Sequence, residues 1–235
     1  MLKIENKRLT FDYDSSIFNF YQLFQELADP DNKGLNNLHN YIGKEFIPTS
    51  AISVDNDQSQ DIYKVLYAID KGYNLGLDAP ERGQFLTLFD NFAHHIAKSI
   101  FKEDLVYQNR PTLRVSFPGN KAVGDWHRDR EYNHPLEEVN IWVPITIASN
   151  TNTIWIESSF DKEDYSPVNI DFGKFLIFDS GLKHGNVVNN ENQTRISFDF
   201  RVIPKSIYKT SDEGSSSYSQ GINLKLGEYY SVTSI

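Results

Sequence analysis

The spacing of apolar residues changes once along this chain, from a helical period to a strand period. Near the start, Leu9, Phe11 and Tyr13 alternate with polar neighbours, which predicts a short edge strand within residues 1–14. Ile17, Phe20, Tyr21, Phe24 and Leu27 then recur at helical spacing, with Ser15 or Ser16 as the cap and Asp29-Pro30 as the stop. An Asn-rich stretch follows, with room for a short helix in 34–43, and residues 48–60 read as loop apart from Ala51-Ile52-Ser53-Val54. Ile62, Val65, Leu66 and Ile69 mark a helix that ends at Gly72. A longer helix from about Ala79 carries Phe85, Leu88, Phe89, Phe92, Ile96 and Ile100 as one apolar stripe. Residues 1–104 are therefore expected to form an edge strand and a helical scaffold.

After Phe101 the period falls to two. Short runs at 112–117, 122–129, 139–146, 153–157, 174–178 and 194–203 are separated by turn chemistry such as Pro118-Gly119-Asn120 and Asp171-Phe172-Gly173. Many short strands at this spacing predict a sandwich or jelly roll over 105–208. Side-chain parity adds more. Val139, Ile141, Val143 and Ile145 share one face, and Asn140, Trp142, Pro144 and Thr146 the other; likewise Ile196, Phe198, Phe200 and Val202 oppose Arg195, Ser197, Asp199 and Arg201. The apolar faces need a cover, which the amphipathic helices can supply. The polar faces are expected to line the interior, and buried charge there is costly unless it serves a ligand. Residues 209–235 form a tail, Ser-rich over 210–220, after which Leu224, Leu226 and Tyr229-Tyr230 could dock back on the body.

At 235 residues the chain suits a single domain, 1–235. The 32 acidic and 23 basic residues give a net charge of −9, with no basic stripe to follow a phosphate backbone, which argues against a nucleic-acid partner. No apolar stretch approaches the roughly 18 residues of a membrane span, and residues 1–14 show no signal-like apolar core, so a cytoplasmic location is expected. The absence of cysteine excludes disulfides, iron–sulfur clusters and thiolate zinc sites. Any metal must be held by His, Asp or Glu.

That limit directs attention to His127-Arg128-Asp129 and His184. On a strand, His127 and Asp129 would project from one face, and His184 would add a second imidazole. Two imidazoles and one carboxylate are the ligand set of non-haem Fe(II) oxygenases, since they leave positions open. Arg195, followed at one interval by Ser197, offers a forked anion clamp. A bare HXD is usually structural, and Arg195 could instead be a barrel arginine paired with Asp199. Arg201 reads as structural, His94-His95 as packing or surface, and His39 as exposed.

With these residues in order, the chain resembles the Fe(II)/2-oxoglutarate-dependent dioxygenases of the double-stranded β-helix, cupin-like fold. The segments PTLRVSFPGN, GDWHRDREYNHP, EVNIWVPIT, TNTIWIES, HGNVVN and TRISFDFRVIP are similar to the streptomycin-biosynthesis-type branch, over about Tyr107 to Tyr208. The resemblance implies Fe(II) on His127, Asp129 and His184, 2-oxoglutarate held through Arg195 and Ser197, O2 as oxidant, and release of succinate and CO2. Retention of Asp129 disfavours the halogenase variant of this chemistry, which lacks the carboxylate. Parity then nominates Asn140 and Ser116 for contact with 2-oxoglutarate or its water, and Arg114, Trp142, Trp155 and Glu157 for a small-molecule substrate; Tyr132, with His134 nearby, joins them because it lies just past the metal ligands, where a loop would form the cavity mouth. Trp142 and Trp155 could equally be core. The implied activity is hydroxylation of a small polar metabolite: a sugar, aminocyclitol or amino-acid-like compound. The competing readings are a cupin-like metal isomerase, an oxygenase that does not use 2-oxoglutarate, and a jelly-roll carbohydrate-binding or assembly protein.

Overall fold

The computed structural model describes residues 2–29, 31–41, 83–121, 126–209 and 223–235. The runs at 112–117, 139–146, 153–157, 174–178 and 194–203 become β3 (Thr112–Ser116), β4 (Val139–Pro144), β5 (Trp155–Ile156), β7 (Lys174–Asp179) and β9 (Arg195–Pro204), after an N-terminal β1 (Arg8–Asp12), while β2 (Leu105–Gln108), β6 (Ser166–Pro167), β8 (His184–Gly185) and β10 (Tyr230–Val232) are strands that none of those runs marked. The larger sheet runs β1-β7-β4-β9-β2-β10, with β3 also paired to β9, and the smaller runs β6-β5-β8. Every strand pair is antiparallel. The described structure is mainly β.

As expected, β1 lies at a sheet edge among the described residues, paired with β7. β9 is the longest strand and takes partners on both sides: β4 on one, β3 and β2 in succession on the other. Its register sets Asn140 opposite Arg201, Ser116 opposite Arg195 and Arg114 opposite Ser197. The polar residues of three strands are thereby brought onto one face.

The opposite face is covered by α1 (Phe20–Ala28) and α2 (Gln84–Ile96), the latter running on into a π turn at Ala97–Phe101. Phe20, Phe24, Phe85, Phe89, Phe92 and Ile96 are fully buried and share one core with Ile141, Val143, Phe175, Ile177, Phe198 and Phe200. Phe20 meets Phe198 at 4.8 Å and Phe89 meets Phe200 at 4.9 Å, both edge to face. Each such ring contributes roughly 1.5–3 kcal/mol by leaving water. Helices therefore cover the apolar sheet face, as the sequence pattern requires.

Several boundaries differ from expectation. Asn19, not Ser15 or Ser16, caps α1, accepting from the Gln22 backbone N–H, while Ser16 bonds Asp14 in the preceding turn. Ile17 accordingly falls outside the helix and is exposed. The short helix placed in 34–43 is a 3-10 turn over Leu35–Asn40, and the run 153–157 narrows to β5. The expected loop 48–60, the helix at 62–72, the start of the long helix near Ala79, residues 122–125 of the HXD run and the Ser-rich stretch 210–220 lie outside the described residues. Among the described residues, no helix is long and apolar enough to cross a membrane.

Candidate metal centre

The two imidazoles meet because their backbones pair. His127 N–H donates to the His184 carbonyl at 3.0 Å and His184 N–H to the His127 carbonyl at 2.9 Å. Directly opposed residues of an antiparallel pair send their side chains to the same side. The rings accordingly lie 4.5 Å apart, centroid to centroid.

Asp129 arrives by a route that differs from the expected strand. It opens a 3-10 helix, Asp129–Tyr132, and Arg128 just before it has an extended backbone with φ −114° and ψ 137°. One extended residue between His127 and Asp129 suffices to put both on one side. Asp129 N–H donates to the Ser180 carbonyl at 3.2 Å, and Arg128 N–H is capped by the Glu131 carboxylate at 3.1 Å. The ligand atoms of His127, Asp129 and His184 all lie within 4.8 Å of one another.

The chemistry of these donors suits a divalent cation. His184 Nδ1 lies 2.9 Å from the Leu182 carbonyl, which can only accept, so Nδ1 carries the proton and Nε2 keeps its lone pair. Burial pushes the His184 pKa down to about 4, against the pull of Asp129, so the ring is neutral at ordinary pH. For Asp129, burial works to raise the pKa, but Arg201, with His127, His184 and His134, outweighs it and holds the carboxyl well below its usual range. The trio offers an ionised oxygen and at least one neutral imidazole. It fits a metal ion.

Arg201 Nη2 donates to Asp129 Oδ1 at 3.3 Å and its Nη1 to Asp199 Oδ2 at 2.9 Å. Asn140 Nδ2 donates to Asp129 Oδ2. The structure thus places Asn140, nominated for the cosubstrate, on the Asp129 carboxylate. Arg201, read as structural, is an immediate neighbour of Asp129, a candidate metal ligand; its parity with Arg195 was the available signal.

Arg195 is 2% exposed, and its three hydrogen bonds go to neutral acceptors: Asn152 carbonyl at 2.8 Å, Ser197 Oγ at 2.8 Å and Asn186 Oδ1 at 3.0 Å. Asp199, the alternative partner weighed above, is instead bonded by Arg114 at 2.9 Å and by Arg201. Among the described residues no carboxylate pairs with Arg195. Its pKa is drawn down to about 10, chiefly by burial and then by Arg114, so it is charged at neutral pH. Asn186, two residues beyond His184, links this guanidinium to the chain that carries the second imidazole, a bond that sequence reasoning missed.

The remaining nominees are spread around this centre. Tyr132 meets the His127 ring edge to face at 5.5 Å, and Trp142 is buried with its ring 5.8 Å from the Arg195 guanidinium carbon. Ser116 is buried opposite Arg195. Trp155 is half-buried and donates from Nε1 to the Asn150 carbonyl at 3.0 Å. Glu157 is fully buried, and its carboxylate is already engaged: it accepts from Lys183 N–H at 2.6 Å, Glu163 N–H at 3.2 Å and Arg128 at 3.3 Å. That arrangement braces the residue before His184. His134 Nδ1 is bound to Glu138 at 2.6 Å, and Glu138 also accepts from the Tyr230 hydroxyl at 2.7 Å, so the tail does dock here. His39, expected to be exposed, is half-buried with Nδ1 2.8 Å from Thr194 Oγ1, because the 3-10 turn packs against the start of β9.

No protein-family model matches the chain. A curated relative, "Streptomycin biosynthesis protein StrG" of Streptomyces griseus, is 45% identical over 129 residues. That match covers 54% of this chain and 60% of StrG. Among solved structures, a non-heme monooxygenase, the ThoJ-Ni complex, is similar at TM-score 0.47 and 16% identity, over 68% of this chain and 73% of its own. CytC3 with Fe(II) and alpha-ketoglutarate is similar at TM-score 0.46 and 15% identity, over 94% of this chain and 82% of its own.

Proposed function

We propose that this chain is a non-haem Fe(II)- and 2-oxoglutarate-dependent dioxygenase built on a double-stranded β-helix, hydroxylating a small polar metabolite in a biosynthetic pathway. The observation that carries the reading is Arg195. A buried guanidinium surrounded by neutral acceptors, tied through Asn186 to the strand of a His/Asp/His centre, is costly by itself, at several kcal/mol for an unpaired buried ion. A dicarboxylate bound there would offset that cost. StrG, named for streptomycin biosynthesis, supports a role in a biosynthetic pathway.

In this reading His127, Asp129 and His184 hold the ferrous ion, while Arg195 and Ser197 hold the far carboxylate of 2-oxoglutarate. The bound iron, with O2 and 2-oxoglutarate, supplies an oxidation that yields succinate, CO2 and a hydroxylated product. The protein supplies position and a dry, charged setting. The Arg195 fork fixes the carboxylate in two directions, and Trp142 covers one side of the guanidinium. Arg114 and Tyr132 are the substrate contacts best placed to act, since each is part-exposed near the centre.

The test is direct. Metal-free protein, given Fe(II) and 2-oxoglutarate without O2, is expected to show a visible charge-transfer band, and then slow succinate formation once O2 is admitted. Absence of both signals overturns the reading in favour of a metal isomerase or a sugar-binding jelly roll.

A further inference from the structure

We infer that Asn140 is a positioning residue that turns Asp129 so that only Oδ1 faces the metal, keeping Oδ2 out of the coordination sphere. The inference rests on the metal-centre reading above and concerns how this chain shapes that centre.

The two oxygens of Asp129 have different surroundings. Oδ1 lies 3.6 Å from His127 Nε2 and also accepts from Arg201, so it is the oxygen on the imidazole side. Oδ2 receives the Asn140 amide. A carboxylate can only accept, so the nitrogen end of the amide must face it; the reversed amide would set carbonyl against carboxylate. Asn140 cannot easily yield, because β4 is held on both sides, with Phe178 directly opposite on β7 and Arg201 directly opposite on β9.

The other end of the same amide argues that the donor is what matters. Asn140 Oδ1 is buried and, among the described residues, has no hydrogen-bond partner. An unsatisfied buried acceptor costs about 1–3 kcal/mol. Leucine, with the same branching at Cγ, would carry no buried polar atom and so no such cost. A residue kept for packing alone would not be an asparagine. One kept to restrain a carboxylate oxygen would be.

The consequence is one of coordination number. A carboxylate ligating through one oxygen occupies one position, whereas a chelating one occupies two. Three protein ligands, each giving one atom, would leave more room on a bound metal for a 2-oxo acid than a chelating Asp129 would. Freeing Oδ2 would let it compete for that room.

The experiment uses the full metal-free chain with Co(II) as the probe, in the wild type, Asn140→Leu and Asn140→Ala, with thermal melting as the check on folding. Wild type is expected to bind Co(II) and then 2-oxoglutarate. In the variants the visible Co(II) spectrum is expected to change, and the affinity of the Co(II) protein for 2-oxoglutarate to fall by about tenfold or more, the scale of lost outer-sphere support. An affinity for 2-oxoglutarate within about threefold of wild type in a folded variant overturns the inference. Should neither variant fold, the metal-induced infrared difference spectrum of the wild type decides. A wide separation of the two carboxylate stretches supports one-oxygen ligation, and a narrow one overturns it. Failure of the wild type to bind Co(II) at all overturns the metal-centre reading itself, which keeps the two failures distinct.

Discussion

Gly185 lies against the indole of Trp126 so closely that a Cβ at Gly185 would come within 2.9 Å of Trp126 Cδ2. The indole has little freedom to retreat, since its other neighbour is the Tyr165 ring at 4.1 Å. Because Gly185 follows His184 and Trp126 precedes His127, this contact sets how near the two imidazole-bearing segments can come. Gly185→Ala is expected to destabilise the chain by about 1–3 kcal/mol, as overpacking does. It should also weaken Co(II) binding. Thermal melting and a Co(II) titration check both; unchanged affinity would mean that the spacing is set elsewhere.

Arg201 is the nearest fixed cation to Asp129 in the described structure. Arg201→Met should leave a buried carboxylate without that partner, while Asp199 keeps Arg114. A loss of about 3–5 kcal/mol is expected in the metal-free protein, the usual cost of breaking one side of a buried pair. Added Co(II) should restore part of the melting temperature by supplying positive charge. A metal-free variant that melts with the wild type would show that Arg201 contributes little.

The clamp can be dissected one hydrogen bond at a time. Ser197→Ala removes one donor, and Arg195→Lys replaces a planar fork by a point charge. Charge-assisted bonds of about 1.5–3 kcal/mol predict affinity for 2-oxoglutarate falling roughly 10- to 100-fold for each. Titration of the Co(II)-loaded protein measures this directly. Equal 2-oxoglutarate affinity in Arg195→Lys would remove Arg195 from the binding site.

Acid should loosen the start of β9 through His39. Burial lowers the His39 pKa from its ordinary 6.5, so the unfolded chain takes up that proton first. The stability contributed by the neutral ring is therefore complete above the ordinary value and is lost as pH falls through the window beneath it. Melting temperatures measured from neutral to mildly acidic pH are expected to drop less steeply in His39→Gln than in wild type. Parallel curves would exclude His39 as a contributor.

Much of this architecture was legible because its signals are local. Period two over 139–146 and 194–203 set the two faces of β4 and β9, and the phenylalanine stripe of α2 announced the cover over one of them. The HXD pair was legible as chemistry but not as structure. Its same-side projection comes from a single extended residue, Arg128, ahead of a 3-10 turn, and one residue leaves no period to read. The roles of Asn140 and Arg201 were hidden for a different reason. Parity shows that a side chain faces the interior, but its partner there depends on the cross-strand register, which here sets these two residues opposite each other beside Asp129. The Asn19 cap was obscured by two nearby serines, of which Ser16 bonds Asp14 instead.

β9 has two clients. On one side Phe198 and Phe200 bear on the rings of α1 and α2; on the other, Arg195 bonds Ser197 and Arg201 bonds Asp129 of the candidate metal centre. A ribbon this thin cannot tilt for one client without moving the other. The girth of the phenylalanines beneath it therefore acts as a gauge block for the arginines above, and a chemist wishing to retune this centre could begin from the far side, without altering any group that touches a ligand.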